Sequence, residues 1–177
     1  MSEHKILFTG TMGAGKTTAI GAVSEVPPVS TDVRNTDMAV DKATTTVGLD
    51  YGELTLEGGE VLRLYGTPGQ KRFDFMWKIL ARGALGVVIL VDNSRADPLA
   101  DLDVYLAGFK RLIAEAACVV AVGRMEQYPD PDLDQYAAHM QSRGVLCPLL
   151  PIDVRDRAQV TQLLDMLLLQ LEIKAEA

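Results

Sequence analysis

Residues 10–17 read Gly10-Thr11-Met12-Gly13-Ala14-Gly15-Lys16-Thr17, the pattern G-x-x-x-x-G-K-[ST]. The string follows the apolar run Lys5–Thr9, which reads as a strand, and precedes a helix that starts near Lys16. A strand, a glycine-rich turn and a helix in that order constrain this chain more than any other feature. The glycines let the backbone curl so that successive N–H groups face an anion, and the helix N-terminus adds partial positive charge. The loop reads as a cradle for the phosphates of a nucleoside triphosphate, built from Gly10, Gly13, Ala14, Gly15, Lys16, Thr17 and Thr18. Lys16 reaches the β- and γ-phosphates, and the Thr17 hydroxyl is a ligand for Mg²⁺.

The remaining apolar runs fit that start. Val47–Leu56 and Glu60–Tyr65, joined at Gly58-Gly59, read as an antiparallel hairpin. Gly86–Val91 and Val119–Val122 are apolar throughout, as buried parallel strands are, and Val145–Ile152 holds a strand interrupted by Pro148 and Pro151. Between them lie amphipathic stretches. One covers Phe73–Ala81, and a second runs from Leu102 to Ile113 behind Asp97-Pro98. A third holds Leu133, Tyr136, Ala137 and Met140 and opens at Asp130-Pro131. The last runs from Val160 to Leu171 behind Asp156 and Gln159, which resemble a capping box. This order predicts an α/β fold of the P-loop NTPase kind. It has a mostly parallel six-stranded sheet, one antiparallel strand and helices on both faces, in a single domain over residues 1–177. The polar stretch Glu25–Thr45 reads as a long functional loop.

The formal net charge of −7 argues against nucleic acid or anionic lipid as the main partner. The longest apolar run, Ala84–Val91, is too short to span a bilayer, and neither Ser2 nor Lys174–Ala177 carries a lipidation motif. Cys118 and Cys147 sit in apolar runs and read as buried thiols of a reducing compartment. A soluble, cytoplasmic protein is expected.

Three further strings resemble the small Ras-like GTPases. Thr44-Thr45-Thr46-Val47-Gly48-Leu49-Asp50-Tyr51-Gly52 resembles the switch I end of the Rab-like pattern T-x-G-x-D-[FY]. Leu64-Tyr65-Gly66-Thr67-Pro68-Gly69-Gln70 resembles the switch II motif D-x-x-G-Q, with Gly66 in place of the motif's Asp. Its G-T-P-G-Q string resembles a prokaryotic group related to the gliding-motility GTPase MglA and to GTPases encoded beside Roadblock/LC7 proteins. Val119–Glu126 occupies the place of the guanine-reading motif [NT]-K-x-D, with Gly123 for Asn, Arg124 for Lys and Glu126 for Asp. Pro151–Asp156 lies where the family's S-A-K loop meets the base.

The resemblance implies a GTP-binding switch that uses Mg²⁺ and cycles between GTP and GDP. Thr46 would sense Mg²⁺ and the γ-phosphate, and Gly69 would offer its N–H to that phosphate. Gln70 would orient the attacking water, with Lys16 holding charge. With the switch II Asp replaced, Thr17 and Thr46 remain as the protein's metal ligands. Arg124, Glu126, Asp153 and Val154 are the implied base contacts, and Gly123 removes one tether between the base loop and the P-loop. Arg34 and Arg72 are candidates for a charge-stabilising arginine. Met12, close to the γ-phosphate, would hinder Gln70, so hydrolysis is expected to be slow and partner-dependent. The implied partner, of Roadblock/LC7 type, would bind through Thr46–Tyr51 and Gly69–Trp77. There Phe73, Phe75 and Trp77 either face the partner or pack beneath the switch helix. Gly66 and Met12 leave open a nucleotide-binding scaffold that hydrolyses nothing. An ATP-using small kinase ranks last, because the chain shows no arginine-rich lid.

Overall fold

The computed structural model describes residues 4–27, 29–34 and 46–177, with side chains for all of these except 29–34 and 46–48. The strands are β1 (His4–Gly10), β2 (Val29–Arg34), β3 (Thr46–Thr55), β4 (Val61–Gly66), β5 (Ala84–Asp92), β6 (Ala117–Gly123) and β7 (Leu149–Ile152). They form one sheet in the order β2-β3-β4-β1-β5-β6-β7. β4, β1, β5, β6 and β7 pair in parallel, and β3 runs antiparallel to β4. This is the Ras-like P-loop sheet that the sequence predicts, with one addition. β2 comes from within the stretch 25–45, expected as loop, and pairs antiparallel with β3 at the sheet's outer edge. Its sequence, V-S-T-D-V-R, alternates β-branched and polar residues, the pattern an edge strand tolerates.

Helices cover both faces: α1 (Lys16–Val23) and α6 (Arg157–Glu176) on one, α2 (Asp74–Ala81), α3 (Pro98–Gly108), α4 (Lys110–Glu115) and α5 (Leu133–Ser142) on the other. The two-residue period of the strands sorts the core between them. Ile6, Phe8, Val88 and Leu90 face Ile20, Leu163 and Leu167, while Leu7, Val87 and Ile89 face Trp77, Leu102 and Phe109. No helix among the described residues is long and apolar enough to cross a membrane. Cys118 is buried and Cys147 is only partly so.

Several boundaries differ from expectation, each for a local reason. β7 is confined to Leu149–Ile152, since Pro148 has no N–H and contributes only its carbonyl, which accepts from Val120 N at 3.0 Å. α5 is capped by Asp132, not by Asp130. Asp132 and Gln135 exchange bonds of 2.9 and 2.8 Å in a reciprocal box. Asn93 explains the delay. Its Nδ2 donates to the carbonyls of Tyr128 at 2.5 Å and Pro131 at 3.0 Å, holding that segment out of the helix. At α6 Asp156 caps Ala158 N at 2.9 Å, but Gln159 does not return to the cap's N–H. Its Oε1 accepts instead from Asp153 N at 2.8 Å, tying the helix start to the preceding loop.

The amphipathic run expected to be one helix splits into α3 and α4 at Gly108-Phe109. The cause is Trp77. Its indole lies 5.3 Å from the Phe109 ring, nearly parallel to it, and 5.2 Å from Tyr105. A Cβ on Gly108 would stand 2.7 Å from the indole carbons. Gly108→Ala gains at most about 1 kcal/mol of helix propensity. It forces a ring that is pinned on two sides, at a cost of roughly 1–3 kcal/mol. The expected outcome is a net loss of about 1 kcal/mol in urea unfolding, with an unchanged slope.

Candidate functional site

All five parallel strands end at one edge of the sheet, and the chemistry collects there. β1 ends in Gly10, whose φ of 150° places its backbone against the Leu90 carbonyl. A Cβ there would stand 2.3 Å from that oxygen. Gly13 and Gly15 are also left-handed, with φ of 79° and 102°. Gly15 is the N-cap of α1, and neither a side-chain cap nor an acidic residue occupies that helix's first turn. Its N–H groups thus keep their affinity for an anion. Ala14 N donates to Thr11 O at 3.1 Å within the loop, and Thr18 lies exposed in the first turn of α1.

Lys16 folds back under this loop. Its Nζ donates to Gly10 O at 2.7 Å and Thr11 O at 2.8 Å. Burial lowers its pKa to about 8, against a smaller opposing pull from Asp50. Gly69 presses on the same place. A Cβ there would come within 2.7 Å of Met12 N, 2.9 Å of Gly10 O and 2.9 Å of Lys16 Nζ. Only glycine brings this backbone so close to the lysine.

The segment that carries Gly69 is fastened at each step. Thr67 N donates to Phe8 O at 2.9 Å, and Thr67 Oγ1 donates to Thr9 Oγ1 at 2.7 Å. Trp77 Nε1 donates to Pro68 O, and the Tyr105 hydroxyl to Gly69 O, both at 2.9 Å. Phe73 and Trp77 are therefore core residues, with Trp77 only 2% exposed, whereas Phe75 is 53% exposed and Ile79 58%. Gln70 Nε2 donates to Met12 Sδ at 2.9 Å, so the two side chains expected to interfere are in contact. The Arg72 guanidinium lies over the Phe73 ring, 4.7 Å from its centre. The side chains of Thr46 and Arg34 lie outside the described residues.

The carboxylate of Asp50, a residue of the switch I string to which the resemblance assigns no role, stands beside Thr17. Thr17 Oγ1 donates to Asp50 Oδ2 at 2.6 Å. Asp50 on β3 pairs directly with Gly66 on β4. A Cβ on Gly66 would lie 3.0 Å from Asp50 Cβ and 3.1 Å from its Oδ2. The space that an acidic side chain would need at position 66 is filled by one reaching across from the neighbouring strand. With Gly66 on β4, the surroundings of Thr17 still hold a carboxylate, that of Asp50. The signal was present, because counting back from Leu56 and Glu60, which flank the Gly58-Gly59 turn, sets position 50 opposite 66.

The base-side loops are likewise joined to the P-loop. Arg124, at a left-handed φ of 64°, donates from Nη1 to Gly13 O at 3.2 Å and pairs with Asp92 Oδ2 at 2.6 Å. Asp92 also accepts from Ser94 N at 3.0 Å and Ser94 Oγ at 2.6 Å. Burial pushes its carboxyl up, but the bonds from Ser94 and Arg124 outweigh this and hold it below its ordinary value. The tether expected to be lost at Gly123 is thus supplied by the next residue. Val154 packs on the loop from the other side, 2.7 Å from where a Gly15 Cβ would stand. Asp153 is occupied by Arg155, which donates to it from Nε and Nη2, both at 2.9 Å. Those bonds hold its carboxyl at about 2. Glu126 is exposed.

Fold and site together define a Ras-like P-loop nucleotide-binding domain. A family described as conserved hypothetical ATP binding protein matches residues 30–127, more than half of the chain, and the chain belongs to that family. An uncharacterized protein of Methanocaldococcus jannaschii is 29% identical over 94 residues, 52% of this chain and 53% of that one, so the chain spans about half of that relative's length. GTP-binding protein ypt1 of Schizosaccharomyces pombe is 25% identical over 162 residues, 89% of this chain and 74% of that one. Ras-related protein RABD1 of Arabidopsis thaliana is 28% identical over 90 residues, 49% and 44% of the two chains.

The Lys16 ammonium makes binding pH-dependent. A phosphate beside it raises its pKa again. Below pH of about 8 it is charged before and after binding, and affinity is flat. Above that, binding must take up a proton, and affinity falls by up to about tenfold per pH unit. Titration of GDP in two buffers of different ionisation enthalpy at pH 8.5 should show proton uptake. Lys16→Ala should abolish that uptake.

Proposed function

We propose that the protein is a GTP-dependent switch that hydrolyses GTP slowly and signals through its switch face. The observation that carries this reading is the convergence of Lys16, Gly69, Thr17 and Asp50 at one end of the P-loop. Lys16 exchanges its two carbonyl partners for phosphate oxygens, and the N–H of Gly69 faces the γ-phosphate. Gln70 orients the attacking water once it leaves Met12. Thr46 joins from the start of β3. Arg124, Glu126, Asp153 and Val154 border the base. The relatives named GTP-binding and Ras-related support the guanine assignment.

The donor set fits Mg²⁺. It offers one hydroxyl, Thr17 Oγ1, and one carboxylate, Asp50, with Gly66 leaving room for the latter. Among the described residues no three His, Cys, Asp or Glu side chains form a cluster that could hold a metal ion, so the proposed Mg²⁺ would share its ligands with phosphates. When bound, Mg²⁺ would neutralise charge on the phosphate oxygens. Asp50→Ala should lower nucleotide affinity in Mg²⁺ about 10–100-fold and leave affinity in EDTA unchanged. Asp50→Gly combined with Gly66→Asp returns the carboxylate from the other strand and should recover most of the loss. Equal affinity of Asp50→Ala and wild type in Mg²⁺ would exclude the assignment.

The Gln70–Met12 contact supports slow turnover. A side chain that positions water is held by the loop instead. We expect single-turnover hydrolysis of labelled GTP below about 1 s⁻¹ in the isolated protein. Met12→Ala should accelerate it several-fold, and Gln70→Leu should cancel that gain. Persistence of GTP in both Met12→Ala and wild type would favour the non-hydrolysing scaffold. Among the described residues Phe75, Ile79 and Met12 are exposed apolar groups of the switch face and suit a protein partner. The G-T-P-G-Q string supports kinship with the MglA-like group, and with it a partner of Roadblock/LC7 type. The family description as ATP binding supports a second reading, in which the base is adenine. Calorimetric titration with GDP and ADP in Mg²⁺ separates the two, and tight ADP binding overturns the guanine assignment.

A further inference from the structure

A groove of about 980 Å³ lies between the end of α2 and the start of α4. Gly83, which precedes β5, lines it, so it opens at the amino edge of the sheet, away from the P-loop. Its charge contrasts with the rest of the molecule. Lys78 and Arg82 line one wall, Lys110 and Arg111 the other, and Glu115 is the single carboxylate. Glu115 is matched by Arg111, whose Nε lies 3.1 Å from Oε1. No ion pair among the described residues engages Lys78, Arg82 or Lys110. Three exposed cations thus gather around one groove on a chain of net charge −7.

The lining between the cations is small and apolar. Ala81, Ala107 and Gly108 form part of it, and the Trp77 indole forbids a side chain at position 108. We propose that this groove docks an acidic segment of a partner protein, with Asp or Glu residues meeting the cationic walls and a small apolar side chain on the apolar lining. The alternatives fit less well. A membrane or nucleic acid presents its charge over the whole face of the protein, where a net charge of −7 opposes it. A free phosphate has no use for an apolar lining. Cations on the rim of a groove steer an acidic segment and fix its register, and the apolar lining supplies desolvated contact. The proposal is independent of the nucleotide assignment, since no residue of the groove belongs to the P-loop edge.

The test is fluorescence anisotropy of the full chain with a short labelled peptide of Asp and Glu around one Leu. Its Lys-rich counterpart and phosphatidylserine vesicles serve as comparison probes. The expected result is saturable binding of the acidic peptide alone, weakened at least about tenfold in the Lys78→Glu, Arg82→Glu, Lys110→Glu triple variant. Nucleotide affinity, unchanged in that variant, verifies that it is folded. If the triple variant fails to fold, Lys110→Glu alone should weaken binding by a smaller factor. Equal binding by wild type and folded variant overturns the proposal. So does an absence of binding up to about 1 mM, or vesicle binding that the same substitutions abolish.

Discussion

A buried ammonium organises the carboxyl edge of this sheet. Lys16 is taken from water and set against two backbone carbonyls, at a cost visible in its depressed pKa of about 8. Three separate segments are shaped around it. The P-loop supplies the carbonyls, and Gly69 comes to within a missing methyl group of its Nζ. Asp50 provides the nearest opposing charge. A cation held there in a low-dielectric setting is poised to gain more from a phosphate than an exposed lysine would. Binding converts an unfavourable burial into a paired one.

The carboxylate beside Thr17 illustrates how such a site tolerates a motif change. Under the proposed function the site needs an acidic oxygen within reach of the Thr17 hydroxyl, and the backbone position that delivers it is secondary. β3 and β4 are antiparallel, so positions 50 and 66 face each other, and the two side chains compete for one volume. Glycine at one position is the condition for aspartate at the other. Arg124 makes the same point at the base loop, where it restores through Gly13 O a link that Gly123 cannot make.

Much of this was legible in the sequence, and the remainder failed for identifiable reasons. The P-loop, the buried strands and the helix stripes follow from local spacing, and each forms in the expected order, with boundaries that differ at β7, α5 and the α3–α4 junction. The helix split at Gly108 was hidden because its cause, the Trp77 ring, lies 31 positions earlier in the chain. The late start of α5 depends on Asn93, which is equally remote. Asp50 stands in the switch I string but has no role there beside Thr17, because a linear motif compares one position with one role. The replacement came from a neighbouring strand whose register has to be counted. Trp77 and Phe73 could be assigned to core or surface only by packing, and packing sends both inward while leaving Phe75 outside.

Trp77 then joins the two ends of the molecule. Its indole N–H holds the Pro68 carbonyl in the segment that touches Lys16, and its ring forms the wall behind Gly108 at the groove. A rigid indole with polar and apolar attachments on opposite sides cannot shift one without straining the other. The segment that carries Gly69 and the α3–α4 junction therefore share one rigid contact, and the packing seen where one predicted helix becomes two also fixes the Pro68 carbonyl.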